Sequence, residues 1–410
     1  MKKVSIIMPL YNGAAFVEAT LRSLLTQTYR QIEVIVSDDA STDDGRALVE
    51  KMQEADNRIL VVGDDKNRGT LLARKNGMAA STGDYVTFID QDDELTPNAI
   101  ETLVAYAEEH PADIYHFTAE VIPENEAARD AAEGMQSFLT PKMKSLDGTD
   151  ILAFQLSQDN GFDWQLHHKM YVGDLARKAY SCAADVRLLQ SDDFYLSFVI
   201  TSLARKYRSV PDTPMYRYYL GRGDTFGTKT TIATVTHASE NNALAYRLVK
   251  EYVESRNAPK REDWNARLED AMRCLIDHPI NEWRDSLDRA EQMEALPQLL
   301  SDWPAEYLGA ELWRFSRDTA YDVWANMIAE DGVSGEALEE LKAQASYYYA
   351  VAKEVEEDHQ TAGSRYPRYR EMRQTALGHL QRIGLIHEAE GSRSLIERAI
   401  GRVRSLLPNS

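Results

Sequence analysis

Val4-Ser5-Ile6-Ile7-Met8-Pro9-Leu10-Tyr11-Asn12 and Gly83-Asp84-Tyr85-Val86-Thr87-Phe88-Ile89-Asp90-Gln91-Asp92-Asp93 follow one plan: a short apolar run whose polar residues gather at its end. Runs that are Val- and Ile-rich and almost continuously apolar are those of strands covered on both faces. The same reading predicts strands at Val4–Pro9, Glu33–Asp38, Ile59–Gly63 and Tyr85–Asp90. Between them, helical periodicity covers Ala14–Thr28, Asp44–Asp56, Thr70–Ala80 and the run from Pro97 to His110. Phe16, Leu21, Leu24 and Leu25 share a helix face that would pack on the sheet. Ser41-Thr42-Asp43 offers N-cap oxygens, and Pro97 suits a first helical turn. Strand–helix alternation predicts an α/β domain with a parallel sheet and right-handed crossovers, whose ligands bind at the carboxyl ends of the strands.

Those ends carry a polar set: Pro9 to Asn12, Asp38 to Asp43, and Asp90 to Asp93. Each alone reads as a turn or a helix cap. Together they put several carboxylates on one sheet edge, where mutual repulsion calls for a cation or ligand. Oxygen ligands suit Mg2+ or Mn2+, commonly bridging a diphosphate. Neither G-x-G-x-x-G nor G-x-x-x-x-G-K-[ST] follows the first strand, which disfavours a dinucleotide dehydrogenase and a P-loop NTPase.

A chain of 410 residues exceeds what one core fills, so at least two domains are expected. With 46 Lys+Arg against 66 Asp+Glu, the net charge of −20 opposes general nucleic-acid binding. No apolar run approaches the ~18–20 residues of a membrane span. The run Val4 to Leu10 imitates a signal peptide but reaches Tyr11-Asn12-Gly13 too early, and a buried first strand accounts for it better. Cys182 and Cys274 alone support neither a disulfide framework nor a thiolate zinc site, which suits a reducing, cytoplasmic setting.

These residues resemble the family-2 glycosyltransferases of the GT-A fold. The resemblance runs through Val4–Asn12, Ile35–Asp43, Asn67-Arg68-Gly69, Ala73-Arg74 with Gly77, and Gly83–Asp93, five ordered motifs over about ninety residues. It implies a nucleotide-sugar-dependent transferase. By the resemblance, Pro9 and Tyr11 line the base and ribose site and Asp39 accepts a hydrogen bond from the base. Arg74 sits near the nucleotide with Gln91, and Asp90 with Asp92 forms the metal-binding D-x-D for Mn2+ or Mg2+. Lys75 stands where the family commonly has Asn, and Ala40 where Gly is common. The residue chemistry agrees: a tyrosine ring stacks on a base, and a cation offsets charge on a departing diphosphate.

Asp147 to Phe226 is expected to complete an acceptor-binding half, so that 1–110 binds donor and 111–228 acceptor. Trp164, His167, His168, Lys169, Met170 and Tyr171 resemble the segment that begins this half, which makes His168 and Lys169 acceptor candidates. Leu188 to Leu196 fits the family's Glu-Asp motif, with Asp192 for Glu. The resemblance then makes Asp193 the base that deprotonates the acceptor hydroxyl, its proton affinity raised by partial closure and a neighbouring acid. The simpler reading is that Asp192-Asp193 caps a helix over Phe194–Tyr207. Tyr216-Arg217-Tyr218-Tyr219 and Gly221 to Asp224 resemble the last family segment, a Tyr-rich strand leading into a loop, which either brings Arg222 and Lys229 to the diphosphate on closing or is an ordinary solvated loop.

After Thr228 six amphipathic helices are expected, punctuated by Pro259, Pro279, Pro297, Pro304 and Pro367, so 229–410 reads as an all-α region. Acceptor recognition, dimerisation and support of the catalytic domain are its open roles. Within 392–408, Ile396, Ile400, Val403 and Leu407 share a helical face beside Arg393, Arg398, Arg402 and Arg404. Such a stripe packs on the helical domain, or lies in a membrane interface and brings the enzyme to the inner face of the cell membrane. The function expected is an inverting transferase using a UDP-sugar and a glycan or lipid-linked glycan acceptor. The alternative is a non-catalytic nucleotide- or glycan-binding protein on a degenerate scaffold.

Overall fold

The computed structural model describes residues 1–142, 144–157, 163–210, 213–223, 229–329 and 331–387. The chain divides into two compact units, Met1–Lys229 with Leu244–Leu275, and Thr230–Ala243 with Ile276–Ser410. The division in space thus departs from a simple cut at 228/229, because Leu244–Leu275 belongs with the first unit. Tyr252 and Trp264 show why: the Tyr252 hydroxyl meets Ser202 Oγ at 2.7 Å, and Trp264 stacks on Phe198 at 6.0 Å.

The first unit begins as expected, with β1 (Val4–Leu10), α1 (Val17–Leu25), β2 (Ile32–Asp39), α2 (Gly45–Ala55), β3 (Ile59–Asp64), α3 (Thr70–Ala80), β4 (Tyr85–Phe88), β5 (Glu94–Leu95) and α4 (Ala99–Glu109). It continues through β6 (Ile114–His116), β7 (Ala119–Pro123), α5 (Glu126–Phe138), β8 (Ser145–Asp147), α6 (Thr149–Gln155), β9 (Lys169–Val172), α7 (Gly173–Cys182), α8 (Asp192–Leu203), β10 (Lys206–Ser209) and β11 (Tyr216–Leu220). The helix expected over Phe194–Tyr207 therefore ends early, and Tyr207 lies in β10, paired with β6 and β8.

Eight strands form the main sheet in the order β3-β2-β1-β4-β9-β6-β10-β8, and β5-β11-β7 form a second, small one. The first four are parallel, but β9 runs antiparallel to both β4 and β6, so the sheet is mixed. β1 lies inside the sheet, between β2 and β4, and is buried along nearly its whole length, which is why its run is apolar without alternation. Register sets Leu10 opposite Asp38 and Ile7 opposite Phe88, so the polar ends of β1, β2 and β4 meet at one edge. Val17, Leu21 and Leu24 of α1 pack into the core there.

Helices α9 (Ile232–Glu254) and α10 (Trp264–Ser286) run on to α11 (Arg289–Asp302), α12 (Ala305–Ile328), α13 (Glu336–Asp358) and α14 (Pro367–Arg382). Pro304 and Pro367 stand at helix starts, as expected, but Pro279 lies inside α10 and Pro297 inside α11. An interior proline costs about 3 kcal/mol, and burial of Ile276, Ile280 and Trp283 around Pro279 offsets it. The true break falls at Asp288, whose side chain caps α11 in a reciprocal pair with Glu291. In the second unit, buried Glu311 is paired by Arg314 and Arg368. Among the described residues no helix is long and apolar enough to cross a membrane, and the stripe at 392–408 lies outside them.

Candidate active site at the carboxyl edge of the sheet

The loops after β1 and β2 are sewn together by short polar side chains. Asn12 N–H donates to Ser41 Oγ at 3.0 Å, Thr42 N–H to Asn12 Oδ1 at 2.8 Å, and Ala14 N–H to Asp43 Oδ2 at 2.8 Å. Asn12 and Ala40 take left-handed conformations, φ 50° and 60°. At position 40 this accounts for the glycine common in the family, since a Cβ is strained there. Asp39 is buried, and its two oxygens accept the amides of Arg68 at 2.7 Å and Gly69 at 2.8 Å. It thereby shapes the Asn67-Arg68-Gly69 turn that leads into α3.

Tyr11 keeps 46% of its surface exposed, which leaves its ring available for stacking at the strand end. Its backbone is held by Gln91, which accepts the Tyr11 amide at 2.9 Å and donates back to its carbonyl at 3.1 Å. A Cβ at Gly13 would run into that amide, so a larger residue there would have to displace the Gln91 side chain. Pro9, partly buried, sits two residues earlier in β1 opposite Ser37. The ends of β1 and β4 are thus one rigid edge.

Arg74, on α3, joins the halves of the site. Its Nη2 donates to Asp90 Oδ1 at 3.1 Å and its Nη1 to Asp192 Oδ2 at 2.5 Å. Burial opposes the guanidinium charge, and Asp192 with Asp90 more than restores it, so its proton affinity is raised. Asp192 and Asp193 open α8 behind Ser191, which is itself left-handed at φ 60°. The pair does not cap the helix as expected: Ser191 is the N-cap, without a side-chain cap bond, and Asp192 and Asp193 are the first helical residues, where Asp193 Oδ1 accepts the Phe194 amide at 2.8 Å. Burial first, and then the charge of Asp192, push the Asp193 carboxyl up to about 7. Burial also raises Asp192, against the pull of Arg74.

Asp90 retains a third of its side-chain surface, while Asp93 turns inward. Asp93 accepts the Tyr216 hydroxyl at 2.7 Å and the Tyr219 amide at 2.9 Å, and burial together with Asp90 and Asp92 raises its proton affinity far above the usual carboxylate range. Asp93 therefore ties the acidic edge to β11. Arg222 donates to the Asp92 carbonyl at 3.1 Å and to Glu124 at 2.8 Å, with its guanidinium 3.5 Å from the Tyr219 ring centre. Gly221–Gly223 are described, whereas 224–228, where part of the expected loop falls, lie outside the described residues. Lys229 is exposed. Lys75 reaches the Ala183 carbonyl at 2.6 Å and Asp185 at 2.7 Å, so it joins α3 to the loop after α7.

His168 and Lys169 lie inside the domain, at 0% and 1% exposure, so neither side chain is open to an acceptor in this structure. They surround Asp163, whose Oδ1 accepts Lys169 Nζ at 2.7 Å and whose Oδ2 meets Nε2 of His116 at 3.0 Å and of His168 at 3.1 Å. His116, Asp163 and His168 form a trio of potential metal ligands. The Lys169 ammonium already supplies the cation that Asp163 requires, so the trio reads as a neutralised polar core. Burial opposes ionisation of Asp163, yet His168 and Lys169 hold it well below its usual range. Asp163 and His116 carry no sequence signal: neither belongs to a motif, and the fold alone brings them together.

A mixed sheet with polar loops gathered at the carboxyl ends of β1, β2 and β4 has the Rossmann-like arrangement of the GT-A class of fold. Residues 5–171 match the family model described as Glycosyl transferase family 2, and the chain carries a family-2 glycosyltransferase domain. It is 38% identical over 112 residues to the glycosyltransferase GlyA of Streptococcus pneumoniae, covering 27% of this chain and 16% of that protein. It is 35% identical over 116 residues to the GalNAc(5)-diNAcBac-PP-undecaprenol beta-1,3-glucosyltransferase of Campylobacter jejuni, covering 28% of this chain and 38% of that one. The matched stretches thus span less than two thirds of these relatives. The crystal structure of Staphylococcus aureus TarS 1-349 in complex with UDP shares the fold, with a TM-score of 0.56 at 18% identity over 87% of this chain and 92% of that one.

Proposed function

We propose that the first unit transfers a sugar from a nucleotide-sugar donor, a UDP-sugar, to a hydroxyl of a glycan or lipid-linked glycan with inversion at the anomeric carbon. The observation that carries this reading is the Arg74 bridge: one buried guanidinium holds Asp90, of the D-x-D edge, and Asp192, beside the candidate base. That bridge supports reading two acidic motifs, separated by about a hundred residues, as parts of one site. Tyr11 stacks on the base and Asp39, with lone pairs beyond those used by Arg68 and Gly69, accepts from it. Asp90 and Asp92 suit a hard divalent cation, Mn2+ or Mg2+, because they offer carboxylate oxygens at an accessible strand end. Such a cation would offset the charge that develops on the departing diphosphate.

Asp193 takes the proton from the acceptor hydroxyl as its oxygen bonds to the anomeric carbon, and the nucleoside diphosphate leaves from the opposite face. The UDP donor is favoured by the TarS complex with UDP, and the lipid-linked acceptor by the undecaprenol-linked substrate in the name of the Campylobacter relative. The test is a panel of nucleotide sugars with Mn2+, scored first by thermal shift and then by nucleoside diphosphate release, with NMR of the product anomer. Retention of configuration would remove the single-displacement role of Asp193. A panel in which no donor shifts the melting temperature would remove the donor site.

A further inference from the structure

The polar core around Asp163 is connected to the acidic edge by a continuous path. Asp163 Oδ2 is hydrogen-bonded to His168 Nε2 at 3.1 Å, so that nitrogen must carry hydrogen, because an unprotonated nitrogen there would set lone pair against lone pair. In a neutral ring the other nitrogen is then an acceptor. Beside it, His116 Nδ1 lies 2.8 Å from the Tyr207 hydroxyl. His168 Nδ1 lies 2.7 Å from His167 Nδ1, which must donate to it. Burial keeps all three rings neutral, with proton affinities lowered to about 4, 3 and 3 for His116, His167 and His168. One carboxylate thus dictates the tautomer and orientation of His167, two rings away.

His167 passes that orientation on. Its ring stacks on Tyr216 at 4.7 Å and 20°, and on Tyr218 at 5.5 Å and 15°. Tyr216 uses its single hydroxyl twice at the acidic edge: it donates to Asp93 Oδ2 at 2.7 Å and accepts the Asp90 amide at 3.3 Å. We propose that Asp163 is a positioning residue for the cation-binding pair, acting through His168, His167 and Tyr216 to fix the backbone at Asp90. This rests on the reading of Asp90 and Asp92 as that pair. A purely structural core would stabilise the fold without tuning cation affinity. Partners behind metal ligands instead change affinity by about 10–100-fold when lost.

The test uses the full chain with UDP, titrated with MnCl2 while electron paramagnetic resonance reports the free aquo ion. Tyr216→Phe keeps the ring and removes the hydroxyl. His167→Phe keeps the stack but cannot donate to His168. Each is expected to weaken Mn2+ binding about 10-fold, with kcat recovering at saturating Mn2+ and metal-free UDP binding unchanged. The double variant is expected to lose no more than the worse single one, because both cuts fall on one path. Asp163→Asn is the direct cut, but it strands Lys169 in the core and is informative only where the melting temperature survives. Wild-type Mn2+ affinity in both single variants would overturn the relay while leaving the proposed function standing. A wild-type protein that takes up no Mn2+ with UDP would overturn the cation pair and the relay together.

Discussion

Arg74 and Asp192 are joined at 2.5 Å although 118 positions separate them in the chain. Both side chains are about 8% exposed, so the pair has left water and must be complete to be tolerated. Through its second nitrogen the same arginine reaches Asp90, and a planar fork does this better than a point charge.

Arg74→Ala should therefore leave two acids facing each other around a buried gap. A loss of about 3–5 kcal/mol is expected from breaking a buried pair on one side. Arg74→Lys should recover part of that stability but little turnover, since an ammonium cannot hold both carboxylates in a fixed geometry. Urea denaturation and nucleoside diphosphate release, measured side by side, check both.

For Asp193, the expected signature is separation of binding from transfer. Asp193→Asn should bind UDP normally and lose about 10²–10⁴-fold in transfer, the range for a positioned base. Calorimetry with UDP and steady-state kinetics decide it, and near-normal transfer would move the role to Asp192.

The pH dependence follows from the same group. With its carboxyl pushed up to about 7, Asp193 is protonated below that pH, so the rate should rise as pH increases through about 7. The stability sign is opposite. The folded state holds this proton more tightly than the unfolded chain, so the Asp193 contribution is fully present below about 4 and declines as pH rises towards 7. Removing the neighbouring charge with Asp192→Asn should shift the rising limb to lower pH. A pH–rate profile of each protein measures the shift.

Tyr11→Ala tests the stacking surface. Losing a base–aromatic stack is worth about 1–3 kcal/mol, so UDP should bind on the order of 5- to 150-fold more weakly. Titration calorimetry with UDP reads this, and uridine, which retains the base without phosphate, should lose by the same factor.

Ala40→Gly should stabilise the domain. A left-handed alanine carries about 1–2 kcal/mol of strain, and the added flexibility of glycine in the unfolded chain returns about 0.5–1 kcal/mol of that. A net gain of about 0.5–1 kcal/mol is expected, visible as a higher urea midpoint with an unchanged slope.

Period and composition alone determined much of the α/β half. β1 to β4 and α1 to α4 form close to where apolar runs and helical periodicity placed them, because a central parallel strand and an amphipathic helix each write a local pattern. The acidic edge was equally legible, since strand ends are where polar residues interrupt those runs. Tertiary structure decided what involves partners distant in sequence. The antiparallel entry of β9, the burial of His168 and Lys169, and the hub at Asp163 leave no periodic trace, because each depends on which element arrives alongside. Pro279 and Pro297 make the same point within helices. Local chemistry marks them as stops, yet burial of the flanking Ile276, Ile280, Leu296 and Leu299 carries the helix through, because packing on both sides outweighs one missing hydrogen bond.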